Sequence, residues 1–248
     1  MDKIALISDI HANLTALEAV LKNIKERKIT KIFCLGDIVS KGVNPDKVID
    51  LIKENCEVVI KGNCDEIFSS ERALKKKFWT RMKIGDQRAK YLQELPVIYE
   101  FYLSGKLIRL FHASPYSLEH IYNPTYDNKK TKYSEYILDN PMELFKNTDF
   151  IGKNKKDKIP DIIGYAHLHT PNLFQFKNKI IFNTGSVGLS ENIATASYTI
   201  MEGDSNSKNT NRITISNIII PYDINKEIGI INNSDFPLKD DLLLNFRK

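Results

Sequence analysis

No uninterrupted apolar run in this sequence approaches the roughly eighteen residues that a membrane-spanning helix needs. The opening residues, MDKIALISDIH, hold a short apolar stretch without a small-residue cleavage site, so they give no sign of a secretory leader. Cysteine is scarce. Cys34, Cys56 and Cys64 make an odd number without paired zinc-type spacing, which argues against a disulfide scaffold and for a reducing, cytoplasmic setting. Internal repeats are absent, and only the lysine-rich stretch at 153 to 158 is low in complexity. The net charge of +5 is modest, and the lysines gather in ALKKKF, NKKTK and GKNKKDK, which read as solvated loops and helix faces. Aromatic residues do not interleave with them, so a nucleic-acid surface is disfavoured, while an anionic substrate is compatible with the charge.

What is present is a regular alternation. With 248 residues, 42% of them hydrophobic, the chain can bury a large core, and a single α/β domain over 1–248 is expected. Residues 3 to 8 read as a buried strand, and Asn13 opens a helix with Leu14, Leu17, Leu21 and Ile24 at helical spacing. KIFCL reads as the next strand. It is followed by a helix capped at Asn44 with Pro45 in its first turn, then by the strand EVVI. This rhythm implies parallel strands joined by crossover helices. A further helix is expected from a cap at Thr80 to just before Pro96, and then the pattern changes to an antiparallel hairpin around Ser104-Gly105. DIIGYA, NLFQF, KIIFN, ASYTIME and RITISNIII read as strands, with Lys177-Asn178 a tight turn between two of them.

The polar residues fall at consistent places on this map. Asp9 and His11 follow the first strand, Asp37 the second and Asn63 the third; His112 ends the hairpin, and DIIGYA runs into His167 and His169. Four of the five histidines thus stand at strand ends beside carboxylates. The carboxyl ends of parallel strands share one edge, where ligands bind. In Asp9-x-His11 and His167-x-His169 an extended backbone would turn both side chains to one side. The stretch KGNCDE at 61 to 66 is open to three readings: a tight turn using Gly62 and Asn63, a thiol site, or part of a metal cage.

The motifs DIH, GD, GNCD, a strand-ending FH and HLH, in this order, resemble the signature of the calcineurin-like metallophosphoesterase superfamily. ISDIHANLTALEAVL, CLGDIVSKGVNPDKVIDLI, HASP, NTGSVG and PYDINKEIG resemble a small prokaryotic, phosphodiesterase-like branch, over nearly the whole chain. The resemblance implies a four-layer α/β/β/α sandwich of two mixed β-sheets flanked by helices. It also implies two divalent metal ions, with Asp9, His11 and His169 holding one, Asn63, His112 and His167 the other, and Asp37 bridging both. Asp37, Asn63 and His112 are thereby the catalytic candidates as well. Oxygen and imidazole donors suit manganese, the expected ion, or iron, nickel or zinc. By the same resemblance, a hydroxide bridging the two ions attacks phosphorus in line.

Three residues depart from the pattern. Ala12 and Ala166 replace glycines, and Cys64 stands where many relatives carry a histidine that protonates the leaving oxygen. Some members of the phosphodiesterase branch share that cysteine. Cys64 then reads as a small packing residue and Asp65 as a supporting group behind the site. His120 reads as a surface or packing residue, Ser186 sits in a glycine-bracketed loop whose N–H groups could meet phosphate, and Ser8 and Ser114 lack a histidine partner for nucleophilic work. The expected activity is metal-dependent hydrolysis of small phosphodiesters. The alternatives are phosphomonoesters or phosphoproteins, dinucleoside polyphosphates, or a non-catalytic role like that of a retromer subunit that resembles this branch. The expected partner is therefore a small-molecule phosphate ester, with no membrane. The oligomeric state is not readable.

Overall fold

The strand Asp2–Ile7 (β1) turns successive side chains to opposite faces, and both faces are buried: Ile4 and Leu6 join one apolar cluster, Ala5 and Ile7 another. The structure, a computed structural model, describes residues 1–69, 78–120, 141–145, 158–192, 194–209, 211–244 and 246. Most of each of the three lysine clusters lies outside the described residues. After β1, the helix Leu14–Glu26 (α1) buries Leu17, Val20 and Ile24 and starts at Asn13, whose side chain accepts a hydrogen bond from Ala16 N at 3.0 Å. The strand Lys31–Cys34 (β2) leads to the helix Pro45–Asn55 (α2), which packs Val48, Ile49 and Ile52 inward. Asn44 occupies the cap position but makes no side-chain capping bond, contrary to expectation.

A short strand, Val58–Val59 (β3), precedes the helix Asn63–Ser69 (α3). Here the structure corrects the turn reading of KGNCDE. Asn63, Cys64 and Asp65 form the first turn of a helix, and neither Gly62 nor Asn63 has a left-handed backbone. The helix Phe78–Glu94 (α4) already includes Thr80, and Gly85 (φ 69°, ψ 176°) interrupts it, so both the start at Thr80 and the uninterrupted helix are corrected. Then come Ile98–Leu103 (β4), Lys106–Phe111 (β5), Ile162–Tyr165 (β6), Asn172–Phe176 (β7), Lys179–Asn183 (β8), Thr195–Gly203 (β9) and Thr214–Pro221 (β10). Two helices, Ile224–Asn232 (α5) and Lys239–Leu244 (α6), follow. Both hairpin expectations hold: Leu103 pairs with Lys106 across Ser104-Gly105, and Phe176 with Lys179 across Lys177-Asn178.

The strands make two mixed sheets, in the orders β10-β9-β1-β2-β3 and β4-β5-β6-β8-β7. β1, β2 and β3 are parallel in the first sheet, and β5, β6 and β8 in the second. The sheets pack face to face through Leu6, Phe33, Ile108, Leu110, Ile162 and Phe182, while Ala5, Ile7 and Cys34 face the helices on the other side of the first sheet. Outside the second sheet, Leu144 and Phe145 of a 3-10 turn at Pro141–Phe145 cover Ile163 and Tyr165. The α/β sandwich expected from the motifs is therefore present. Each buried leucine, isoleucine or phenylalanine in these layers stabilises the fold by about 1.5–3 kcal/mol. Among the described residues no helix is long and apolar enough to cross a membrane.

The loops after β2 and β3 touch through backbone atoms. A Cβ on Gly62 would strike the backbone nitrogen and Oδ1 of Asp37, and one on Gly36 (φ 91°) would strike Gly62 N. Gly62→Ala is expected to destabilise the protein by about 1–3 kcal/mol, since the Asp37 backbone nitrogen cannot swing away and the Asp37 carboxylate is held by the Cys64 N–H. Urea denaturation checks this, and an unchanged midpoint would contradict the close approach.

Candidate metal centre

Each side chain singled out for metal binding sits just past a strand end, and the two parallel strand sets bring them together. The donor atoms of Asp9, His11 and His169 lie within 4.8 Å of one another, as do those of Asp37, His112 and His167, and a third such group joins His11, Asp37 and Cys64. Asp37 and His11 link the groups: His11 Nε2 is 3.7 Å from Asp37 Oδ2 and 3.8 Å from Asp9 Oδ1, and His112 Nε2 is 3.5 Å from Asp37 Oδ1. His169 Nε2 lies 3.3 Å from Asp9 Oδ1 and 3.0 Å from His11 Nε2.

The route to this arrangement differs from the extended backbone expected. Asp9 (φ 51°), His11 (φ 48°), Asp37 (φ 53°), His167 (φ 69°) and His169 (φ 63°) all have left-handed backbones. Such conformations are uncommon outside glycine and need surrounding structure to hold them. Ala12 shares the feature (φ 56°), which gives a physical reason why glycine suits that position in relatives. His167 and His169 consequently turn to different groups and not to one side.

Tautomers and charges suit cation binding. His112 Nδ1–H donates to Leu35 O at 2.7 Å and His169 Nδ1–H to Leu189 O at 3.1 Å, which leaves both Nε2 lone pairs facing the cluster. Burial pushes His11 down to about 3, with Asp37 opposing, and pushes His167 down to about 4, so both imidazoles are neutral. Burial works against the charge on Asp9 and Asp37, yet the histidines outweigh it: His169 chiefly lowers Asp9, and His112 then His11 lower Asp37. For His112 burial is in turn outweighed by Asp37 and Asp9, which raise it. The same negative field attracts a divalent cation.

The Asn63 amide oxygen decides the fit. It stands 3.1 Å from His112 Nε2, 3.3 Å from His167 Nδ1 and 3.2 Å from each carboxylate oxygen of Asp37, so that with His112 neutral and its proton on Nδ1 no donor faces it. Turning the amide over would offer N–H groups to the same atoms; a cation among them satisfies every one at once. Buried Asp9 Oδ1 also has no hydrogen-bond donor among the described residues. Carboxylate oxygens, imidazole nitrogens and one amide oxygen form a donor set suited to manganese, iron, nickel or zinc.

Residues 2–190 match the calcineurin-like phosphoesterase family. The chain belongs to that family. It is 34% identical to an uncharacterized protein of Methanocaldococcus jannaschii, over 94% of this chain and 93% of that one. In fold it is similar to a metallophosphoesterase from Sphaerobacter thermophilus (TM-score 0.70, 22% identity, covering 99% and 98% of the two chains). A hypothetical protein from Pyrococcus horikoshii OT3 is similar in the same way (TM-score 0.72, 18% identity, 99% and 98%). The family uses divalent metal ions, and the His/Asp groups of this chain are its candidate binding groups.

The remaining candidates take structural places. Cys64 is buried; its N–H donates to Asp37 Oδ1 at 2.8 Å, and burial together with the Asp37 carboxylate drives its thiol far above the ordinary range, so it stays protonated. Asp65 turns away from the cluster. Its carboxylate accepts from Asp37 N, Ile38 N and Gly62 N, each at 2.9 Å, and from Val39 N at 3.4 Å. Burial, then the Asp37 carboxylate, push it up to about 7, while the Gly62 and Ile38 N–H groups pull it down. The glycine-bracketed loop is not free to meet phosphate: Gly185 N donates to Asn183 Oδ1, Ser186 N to Ser197 Oγ, Val187 N to Ser8 O and Gly188 N to Asp9 O. Ser186 Oγ instead donates to Asp9 O at 2.8 Å, bracing the Asp9 loop. Ser8 Oγ pairs with Thr184 Oγ1 and Gly185 O, with no histidine among these partners; Ser114 Oγ donates to Ser117 O and lies 3.1 Å from His120 Nδ1, which corrects the expectation that Ser114 has no histidine partner. The motifs gave no signal for Ser40 and Lys41, which also have left-handed backbones (φ 80° and 58°), or for the charge that Lys41 places near His11 and Cys64.

Asp65→Asn is expected to cost about 1.5–3 kcal/mol in the metal-free protein, because an amide replaces one of the oxygens that accept these buried N–H groups. Chemical denaturation under chelating conditions is the check; a loss seen only with metal present would place Asp65 among the ligands.

Proposed function

We propose that this chain hydrolyses phosphate esters with two divalent ions, manganese first among the candidates, and that small phosphodiesters are its substrates. Asp9, His11 and His169 are the ligands of one ion, Asn63, His112 and His167 of the other, and Asp37 serves both. The observation that carries this reading is the convergence of Asp9, His11 and His169, and of Asp37, His112 and His167, with donor atoms within 4.8 Å in each group and Asn63 beside the second. Paired ions supply an activated water and positive charge against the phosphoryl oxygens. The protein's part is to hold the donors rigidly. Leu35 O and Leu189 O fix two imidazole tautomers, the Cys64 N–H fixes one Asp37 oxygen, and Asn63 contributes a ligand without adding negative charge that would repel a phosphate ester.

Cys64 bears on the substrate. A thiol held protonated by burial is neither an anionic ligand nor an acid near neutral pH. The departing oxygen then receives no proton from position 64, which favours esters with acidic leaving groups. The diester preference rests on this cysteine, shared with members of the phosphodiesterase branch. Phosphomonoesters, phosphoproteins and dinucleoside polyphosphates are the alternative substrates. A scaffold role is the alternative of another class, and the complete donor set weighs against it.

Metal-reconstituted protein is expected to bind two equivalents of manganese by elemental analysis and to lose activity on chelation; one equivalent or fewer, with activity surviving chelator, would refute the reading. Asp37→Ala should lower kcat/KM by more than the roughly 10- to 100-fold that loss of an outer partner costs. Wild-type turnover in that variant would remove Asp37 from its shared position.

In a series of phosphodiesters graded by leaving-group pKa, the wild-type rate should fall steeply as the leaving alcohol becomes less acidic. Cys64→His should flatten the slope, since a placed general acid contributes about 10² to 10⁴-fold where proton transfer is needed. Equal slopes would end the argument from position 64, and metal loss in Cys64→Ser would make the cysteine a ligand.

A further inference from the structure

A cavity of about 1020 Å³ lies against the loop that follows Asp37. One wall is Ser40 and Lys41, a few residues beyond Asp37, and another is Phe68 on α3, the helix that begins with Asn63. The opposite walls come from α4 and from the segment leading into α6, through Trp79, Met82, Phe236 and Leu238. The lining is mainly apolar, yet it opens to solvent: Phe78, Met82 and Leu238, at 61%, 59% and 59% exposure, all border it. Trp79 is fixed in place, with Phe236 edge-on at 4.9 Å and the Lys83 ammonium 4.9 Å over its ring.

We propose that this cavity receives the organic part of the phosphate ester, a flat, largely aromatic group of nucleoside size with polar edges. The proposal rests on the hydrolase reading and adds a substrate class to it. A bare alkyl phosphate needs none of this space, whereas clefts of about 300–1,000 Å³ suit larger organic ligands. The aromatic and thioether walls match a planar apolar body. The carboxylates of Asp235 and Asp241 at the rim can accept from hydroxyl or amino groups. The end of the cavity formed by Lys41 is the end nearest the cluster, because Gly42, the next residue, packs so closely on the His11 loop that a Cβ there would strike His11 O. Lys41 makes no hydrogen bond or ion pair among the described residues, so its ammonium can meet a phosphoryl oxygen. The left-handed backbones of Ser40 and Lys41 are local strain of the kind that collects at binding sites.

Trp79 is the single tryptophan of the chain, so its emission reports on this cavity alone. Manganese-loaded protein is titrated with adenosine 5′-monophosphate and, separately, with inorganic phosphate, over the roughly micromolar to millimolar range typical of enzyme substrates. The expected result is a saturable change with the nucleotide and none with phosphate. Met82→Gln and Leu238→Gln, both at exposed positions that leave the core intact, should raise the nucleotide Kd about 5- to 10-fold, as one or two lost apolar contacts would. They should also lower the preference for nucleotidyl over methyl phosphodiesters by a similar factor. No response to the nucleotide, equal responses to both ligands, or unchanged Kd in both variants would overturn the assignment. If phosphodiesters are hydrolysed while Trp79 stays silent, the cavity assignment fails alone. If Trp79 responds but no phosphate ester is cleaved, the failure lies in the hydrolase reading.

Discussion

The carboxylate of Asp65 is the constraint on which the candidate site depends. It accepts the N–H groups of Asp37, Ile38 and Val39 from one loop and of Gly62 from another, so two strand-end loops are locked into one unit. Asp37 then lies against α3, where it accepts the Cys64 N–H, and Asn63 is carried to within 3.2 Å of both Asp37 oxygens. A buried carboxylate with this many donors is stabilised where an unpaired one would be costly. Gly36 and Gly62 make the contact sterically feasible, since either Cβ would force the loops apart.

Much of this was legible from residue order, and the reasons are local. Apolar strands buried on both faces, such as Ile4 to Ile7, announce themselves as continuous runs, and Asn13 and Pro45 mark helix starts through chemistry that acts within a few residues. The histidine and aspartate positions could be read because parallel strands must present their carboxyl ends along one edge. The backbone at those positions could not. Asp9, His11, His167 and His169 are left-handed because loop contacts from elsewhere hold them so, such as Ala12 N donating to Ile38 O and Gly188 N to Asp9 O. Nothing in a D-x-H spacing encodes those partners. For the same reason NTGSVG read as an open loop, whereas its N–H groups are consumed by Asn183 of β8, Ser197 of β9 and the carbonyls of Ser8 and Asp9. The helical start at Asn63 likewise reflects tertiary packing overriding local turn preference, whereas the interruption at Gly85 uses the left-handed backbone that glycine adopts freely.

Left-handed residues cluster where the two sheets meet the donor groups, and this concentration has an energetic meaning. Each non-glycine residue in that region costs of order 1 kcal/mol or more, and the cost is carried by neighbouring hydrogen bonds and by the buried layers behind them. The donors are thereby held in position before any ligand arrives. Rigid placement matters because donor groups must converge within tenths of an ångström, and flexible side chains on a floppy loop would lose entropy on binding.

The two donor groups draw on both sheets: Asp9, His11, Asp37 and Asn63 follow strands of the first, His112, His167 and His169 strands of the second. Of the three candidate groups, only His11, Asp37 and Cys64 lie on one sheet; in the other two, Asp9 and His11 need His169, and Asp37 needs His112 and His167. The layer of Leu6, Phe33, Ile108, Leu110, Ile162 and Phe182 that presses the sheets together is therefore also what brings the groups within reach of each other. Anything bound between them favours the docked state over one with the sheets apart, so a divalent ion held here would add its binding free energy to the stability of that interface. The dependence runs both ways: a core substitution between the sheets, far from any donor atom, would weaken ion affinity by loosening the distance between Asp9 and His169, while leaving the ligands of each single sheet untouched.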